Sequence, residues 1–161
     1  MMWVCRAGKD STYFDSFISS KIIALPWDGY RTDLSDIKER EKFKCVVKEE
    51  TGSDNRTSIS NWAGQMYSFC VEMQVGDYVL IPSLHSKYYV LAVINSEYKY
   101  NEKALDGLVH FRDVEIVSDK IRKSDLSQDV QFSLGAYRTV FKCKKEDYIL
   151  DLAKNSYGRF L

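Results

Sequence analysis

The sequence predicts an α+β domain in which a small curved β-barrel, or a strongly twisted mixed sheet, is flanked by helices. Three observations indicate this class. The chain opens as strand, helix, strand; its middle holds three runs of apolar, β-branched and aromatic residues; and stretches of helical periodicity lie before and after those runs. Because the chain has 161 residues and shows no repeat or linker, we expect one domain over 1–161.

The first elements are short. The segment WVCRAG predicts a strand, and Ser11 can cap a short helix because Phe14, Phe17 and Ile18 recur at helical spacing. The apolar run IIALPW then indicates a buried strand that its proline, Pro26, brings to an end.

Two longer helices are predicted next. Ser35 can cap a helix from Asp36 to about Glu50, whose apolar residues form one stripe on a charged surface. The loop TGSDNRTS follows, and the apolar positions of 59–73 then repeat with the helical period and predict a third helix.

The second half of the chain is richest in strand signals. YVLIPS, KYYVLAVINSEYKY and LVHFRDVEIVS predict an antiparallel meander. The polar segment DKIRKSDLSQDVQFSLG predicts a loop with a helical turn, YRTVFKC a last strand, and EDYILDLAK a terminal helix.

Composition excludes several classes. Lysine plus arginine equals aspartate plus glutamate, 23 each, so any site for phosphates must be a local patch. The four cysteines form no C-x-x-C pair and have only His85 and His110 as histidine co-ligands, so we expect reduced thiols and no structural zinc. No secretory signal and no apolar run near the roughly 18 residues of a membrane span are present, so we expect a cytoplasmic protein.

One pattern suggests catalysis. Asp77, followed by Glu97 and Lys99, matches the two carboxylates and one lysine with which some nucleases hold magnesium and activate water. The same residues also fit ordinary turn chemistry and the exposed positions of a half-solvated strand. His110 alternates with apolar residues, which favours a structural role. We therefore expect no catalytic residues, no bound metal and no cofactor.

Aromatic residues beside small polar groups suggest binding instead. Trp27 and Tyr30 flank the Asp-Gly turn after IIALP, where a side chain reaches the rim of a sheet. Trp62 lies on the third predicted helix beside Asn61 and Gln65; it fits either the core stripe of that helix or a contact to a base.

Positive charge clusters in two segments. DKIRKS supplies Lys120, Arg122 and Lys123, and YRTVFKCKK supplies Arg138 and Lys142 with Lys144 and Lys145 beyond. These residues are either solvated loop charges or one basic face for phosphates.

Several motifs in fixed order resemble a known family. WVCRAG, IIALPW with DLS, NWAGQMYSF, VGDYVLIPS, SDLS and SLGAYRTVF are together similar to the recognition domain that precedes the catalytic domain in Mrr-type and McrB-type modification-dependent restriction systems. That domain is an EVE-like and YTH-like member of the PUA superfamily. The resemblance runs from Trp3 to about Cys143 and implies a small, strongly curved barrel with helices around it.

The resemblance also implies a function. Relatives flip a modified base out of the duplex, or take it from a single strand, and hold it in an aromatic cage. The matching positions here are Trp27 for the cage and Arg6 and Asp10 for contacts near the base, with Tyr30, Trp62 and Tyr137 competing for the second wall. Asn61 and Gln65 belong to the same N-x-A-G-Q pattern. The implied partners are DNA with a modified base, RNA as the alternative, and a fused or separate nuclease or NTPase component; no membrane partner is expected.

Two departures from the family pattern concern the expected site. The chain has Lys9, Asp10 and Ser11 where the family usually has an acidic residue and glycines, and Pro26 where a glycine often precedes the tryptophan. A catalytic domain, if there is one, is expected outside this chain.

Overall fold

The computed structural model describes residues 1–156 and shows the predicted α+β class, a strongly curled mixed sheet with flanking helices. The strands are Met2–Cys5 (β1), Ile22–Ala24 (β2), Tyr78–Pro82 (β3), Tyr88–Ile94 (β4), Lys99–Tyr100 (β5), His110–Arg122 (β6) and Val140–Lys142 (β7). The helices are Phe14–Ser20 (α1), Arg40–Thr51 (α2), Arg56–Tyr67 (α3), Gln128–Leu134 (α4) and Glu146–Ser156 (α5). Within the described residues, no helix has the length and apolarity needed to cross a membrane.

The sheet has the strand order β2-β6-β4-β3-β1-β7, and β5 pairs with β6. Strands β3, β4 and β6 pair antiparallel, as predicted, whereas β1 runs parallel to β3 and β7 runs antiparallel to β1. The curl brings distant strands together: the Cys5 thiol lies 3.6 Å from the Ala24 carbonyl oxygen, although β1 and β2 are far apart in the strand order.

Both faces of the sheet are covered. Alternate residues of β1 enter different cores: Trp3 and Cys5 pack with residues of α1, α2 and α3, and Met2 and Val4 pack with residues of α4 and α5. Because neighbouring strand residues point to opposite faces, a strand covered on both sides is apolar at every position. This explains why β1 is fully buried over its whole length.

One edge of the sheet gathers the ends of several strands. There β1 and β3 end, β4 and β7 begin, and β6 ends, with Tyr88 paired to Arg122. We call this region the rim; it comprises the end of β6 with the next residue, 120–123, and the segments that adjoin the other strand ends, 6–11, 83–87 and 137–139. Backbone hydrogen bonds join them, since Arg6 N donates to Thr139 O at 2.8 Å and Lys123 N donates to Lys87 O at 3.0 Å.

Some element boundaries differ from the prediction. Helix α2 begins at Arg40 instead of Asp36, because the Ser35 amide and hydroxyl both donate to the Asp33 carboxylate in a turn. Helix α3 begins at Arg56, and the Asn55 side chain accepts from Ser58 N at 3.0 Å as its cap.

Two predictions in the polar segments were wrong. Ser11 caps no helix; it is buried and its hydroxyl donates to carbonyl oxygens of β3 and the following turn. The segment 119–122 continues β6 instead of forming a loop, because Ile121 is buried against the core while the neighbouring Lys120 and Arg122 face solvent. This alternation of buried and exposed side chains is that of a strand, even though most residues of the segment are polar.

Candidate functional site

Trp27 contacts two of the three aromatic residues that the resemblance offered as a second cage wall, Tyr30 and Trp62. Its indole nitrogen donates to the Thr139 hydroxyl at 3.1 Å, and its ring centre lies 4.6 Å from that of Trp62 and 5.7 Å from that of Tyr30. We call Trp27, Tyr30 and Trp62 the aromatic cluster. Trp27 and Trp62 meet edge to face, with an angle of 81° between the ring planes. The two rings contact each other, so no gap for a base lies between them in this structure.

Gln65 fixes the start of β7. It lies three residues after Trp62 on α3, so both side chains point to the same side of the helix. The Gln65 amide oxygen accepts from Thr139 N at 2.8 Å and from Val140 N at 3.1 Å. Asn61, by contrast, is exposed. Gln65 therefore acts on the rim through the backbone of β7.

Arg6 holds the loop before β7 in place. Its guanidinium donates to Leu134 O at 2.9 Å and to Ala136 O at 3.3 Å, so it satisfies carbonyl groups at and just after the end of α4. This role leaves Arg6 less free for contact with a base than the sequence suggested. Tyr137, next in the loop, is fully exposed. Asp10 is also exposed and has a left-handed backbone, with φ 55°.

The rim carries exposed cations. Among residues 1–156, Lys87, Lys123 and Arg138 take part in no ion pair. Lys120 is exposed and its ammonium lies 6.0 Å from the centre of the Tyr88 ring. Arg122 is 3.2 Å from the Asp125 carboxylate, which offsets part of its charge.

Lys142 does not belong with these cations. It pairs with Trp3 in β1, toward the opposite edge of the sheet, where its ammonium lies 3.5 Å from Glu72 and 5.5 Å from the Trp3 ring centre. Of the second basic segment, Arg138 therefore lies at the rim with the cations of the first segment, whereas β7 carries Lys142 away from it.

Two residues of the suggested nuclease pattern, Asp77 and Lys99, have structural partners. The Asp77 carboxylate accepts from Trp3 Nε1 and from Gln74 N, both at 3.0 Å, and Lys99 pairs with Asp113. Glu97 is exposed. Among the residues described, no three carboxylate, histidine or cysteine side chains converge in a way that could hold a metal ion.

His110 is buried in a hydrogen-bonded network beneath the aromatic cluster. Its Nδ1 lies 2.6 Å from the Tyr98 hydroxyl, which accepts from Leu34 N, and its Nε2 contacts the Tyr30 carbonyl oxygen. Burial lowers the pKa of His110. A neutral imidazole thus ties the segment that follows Trp27 to β6, which is a structural role.

The cysteines are all free thiols, as expected. Cys5, Cys70 and Cys143 are buried, whereas Cys45 on α2 is exposed. Burial raises the pKa of Cys5 and of Cys70 to about 12, so neither thiol is reactive near neutral pH.

Sequence reasoning missed Phe132 and Thr139. Phe132 is 88 % exposed on α4, whereas Val130 and Leu134 on the same helix are buried. The signal was present in the sequence: residues four apart share one helical face, so the residue midway between them faces away. Thr139 carried no signal, because its role depends on Trp27 and Gln65 reaching it from distant segments.

One protein family matches the chain over most of its length. The family described as "Domain of unknown function (DUF8426)" matches residues 2–142. No curated protein matches the sequence. Among solved structures, an X-ray crystal structure of a protein from Pseudomonas putida, from the Northeast Structural Genomics Consortium, is 13% identical with a TM-score of 0.44; the match covers 95% of this chain and 98% of that chain. Neither comparison indicates a catalytic activity.

Proposed function

We propose that this chain, which belongs to the family described as domain of unknown function DUF8426, binds a nucleic acid strand at the rim. The rim cations contact phosphates, and the exposed aromatic side chain of the neighbouring loop stacks on a base. The observation that carries this proposal is the collection of Lys87, Lys120, Lys123 and Arg138 at one edge of a chain whose formal net charge is +0.

The loop between α4 and β7 supports the proposal because hydrogen bonds hold its backbone while it exposes an aromatic ring. Arg6, Gln65 and Trp27 hold this loop by side-chain hydrogen bonds, while Tyr137 is fully exposed. A ring on a fixed loop loses little entropy when a base stacks on it. An aromatic side chain next to Arg138 thus offers stacking and charge together.

The identity of the base comes from the resemblance alone. It implies that the strand is DNA with a modified base, read for a restriction or antiphage nuclease, and that Trp27 contacts the base. Trp27 is only partly buried, so a base can reach the side of its ring that Trp62 leaves open. A methyl group on that base would add apolar contact.

The test is salt-dependent binding with matched double variants. Fluorescence anisotropy with labelled single strands of about 12 nucleotides, DNA and RNA in separate arms, gives the affinity from roughly 50 to 200 mM salt. We compare wild type with Lys123→Ala/Arg138→Ala at the rim and with Lys142→Ala/Lys144→Ala toward the opposite edge. Both double variants remove two positive charges.

A plot of log affinity against log salt has a negative slope, and the rim variant is expected to make it less steep by about 1.4. This is about 0.7 for each lost phosphate contact on a single strand. The variant at the opposite edge should bind as wild type does. Equal losses in the two variants, or no binding of DNA or RNA at the lowest salt, would overturn the proposal.

A further inference from the structure

A cleft opens on the rim, separate from the aromatic cluster. It has a volume of about 310 Å³ and lies between the segment 11–15, which leads into α1, and the segment 83–88, which joins β3 to β4. This volume is at the lower end of the range for small-ligand pockets, about 300–1,000 Å³. The Phe14 and Tyr88 rings form its apolar part, with centres 5.8 Å apart and planes at 89°.

The two walls are braced against each other. The buried Ser11 hydroxyl donates to Ser83 O at 2.9 Å and to Pro82 O at 3.2 Å, and the Ser83 hydroxyl accepts from Tyr88 N at 3.0 Å. The two bonds from Ser11 join the walls and fix the width of the cleft, and the bond between Tyr88 and Ser83 holds the turn within one wall. The cleft is therefore formed before any ligand enters.

Both walls also contain backbone strain. Asp10 and Ser11 have φ 55° and 57°, and His85 and Ser86 have φ 57° and 52°. Side chains other than glycine rarely adopt this left-handed region, and such conformations cluster at ligand sites, where the surrounding structure holds them. One residue of each pair, Ser11 and His85, lines the cleft, so the surrounding structure holds strained backbone on both of its sides.

The lining suits a flat ligand that has polar edges and is attached to a negatively charged group such as a phosphate. The half-buried Tyr88 ring offers a surface for stacking, Asp15 and His85 stand among the lining residues, and Lys87 adds a positive charge. Lys120, with its ammonium 6.0 Å from the Tyr88 ring centre, lies within reach of a phosphate attached to a ligand in the cleft. A nucleobase on a sugar-phosphate strand has all of these properties.

We propose that this cleft holds one unpaired nucleobase of the strand bound at the rim, an inference that rests on the proposed function. Tyr88 provides the stacking surface, and Lys87 and Lys120 hold the phosphates on either side of that base. The base site is thus the cleft between the two strained walls, and it is distinct from the contact with Trp27 that the resemblance implies.

The experiment compares an intact strand with one that carries no bases. Anisotropy titrations at low salt use a thymidine strand of about 12 nucleotides and an abasic strand of the same length and charge. Wild type should bind the intact strand more tightly than the abasic strand. Stacking on Tyr88 should contribute a factor of about ten to the ratio of the two affinities. Tyr88→Ala and Tyr88→Leu should lose that part while they bind the abasic strand as wild type does.

Two further variants make the result specific. Tyr88→Phe retains the ring and should keep the full preference. Tyr137→Ala removes the exposed ring of the loop before β7 and should leave the Tyr88-dependent part of the preference unchanged. Tyr88→Leu keeps apolar volume beside Phe14, so it reports on stacking even if Tyr88→Ala unfolds.

The outcomes separate this inference from the function on which it rests. An unchanged preference in Tyr88→Leu, or no preference in wild type, overturns the base site while binding of the abasic strand still supports the rim. Failure of both strands to bind overturns the proposed function as well.

Discussion

Replacement of Gln65 by alanine tests how the rim is held. The Gln65 amide oxygen is the acceptor for two backbone N–H groups of β7, those of Thr139 and Val140. Strand β7 has only three residues and pairs with β1 alone, so these two bonds form a large part of what fixes its first residues. Gln65→Ala removes the acceptor and leaves both donors behind.

The magnitude follows from the burial of those donors. An N–H group left buried without a partner costs about 1–3 kcal/mol, and the hydrogen bond to Val140 N is buried whereas that to Thr139 N is partly buried. Since water can reach the second donor, we expect a loss of about 2–4 kcal/mol in the free energy of unfolding. For a chain of this length that corresponds to a fall in Tm of roughly 5–15 °C.

The assay is thermal and urea unfolding monitored by circular dichroism, together with amide hydrogen exchange at Val140. Asn61→Ala is the matched control, because Asn61 lies on the same helix but is exposed, and it should change stability by less than about 0.5 kcal/mol. Gln65→Ala should also weaken binding at the rim, since it loosens the loop that carries Tyr137 and Arg138. If Gln65→Ala melts within about 2 °C of wild type, the assigned role of these two bonds is wrong.

Three other predictions concern separate parts of the molecule. Titration of methylated and unmodified oligonucleotides against wild type and Trp27→Ala should show a preference for the methylated strand only in wild type; equal affinities in all four combinations would refute the contact with Trp27. Burial lowers the pKa of His110 in the folded protein, so its contribution to stability is complete above the unfolded pKa of about 6.5 and is lost as the pH falls through the folded value. Urea midpoints measured from pH 7.5 downward should therefore fall below about pH 6.5 in wild type and fall less in His110→Gln, and parallel curves would count against this linkage. Alkylation of the native protein near neutral pH should modify Cys45 and leave Cys5 and Cys70 unmodified, as peptide mass spectrometry can show; rapid labelling of Cys5 would contradict its burial.

The relation between sequence and structure differs from one element to another. The apolar runs of β3, β4 and β6 predicted an antiparallel meander, and the helical period of 59–73 predicted a helix over most of α3, because hydrophobic periodicity is a local property that the fold preserves. The start of α2 and the end of β6 were not predictable in the same way. The first depended on a turn at Asp33, and the second on pairing with β4, which makes a strand of a polar segment.

The candidate site shows the same division more sharply. That Trp27 follows a buried strand, and that Trp62 and Gln65 share a helical face, can be read from neighbouring residues alone. That Trp27 and Gln65 both reach Thr139 at the start of β7 could not be read in this way, nor could the contact of Trp62 with Trp27 or the separation of Lys142 from the cations of the rim. These contacts depend on the curl of the sheet, which brings together segments that are distant in the chain, and no local pattern records which of them will meet.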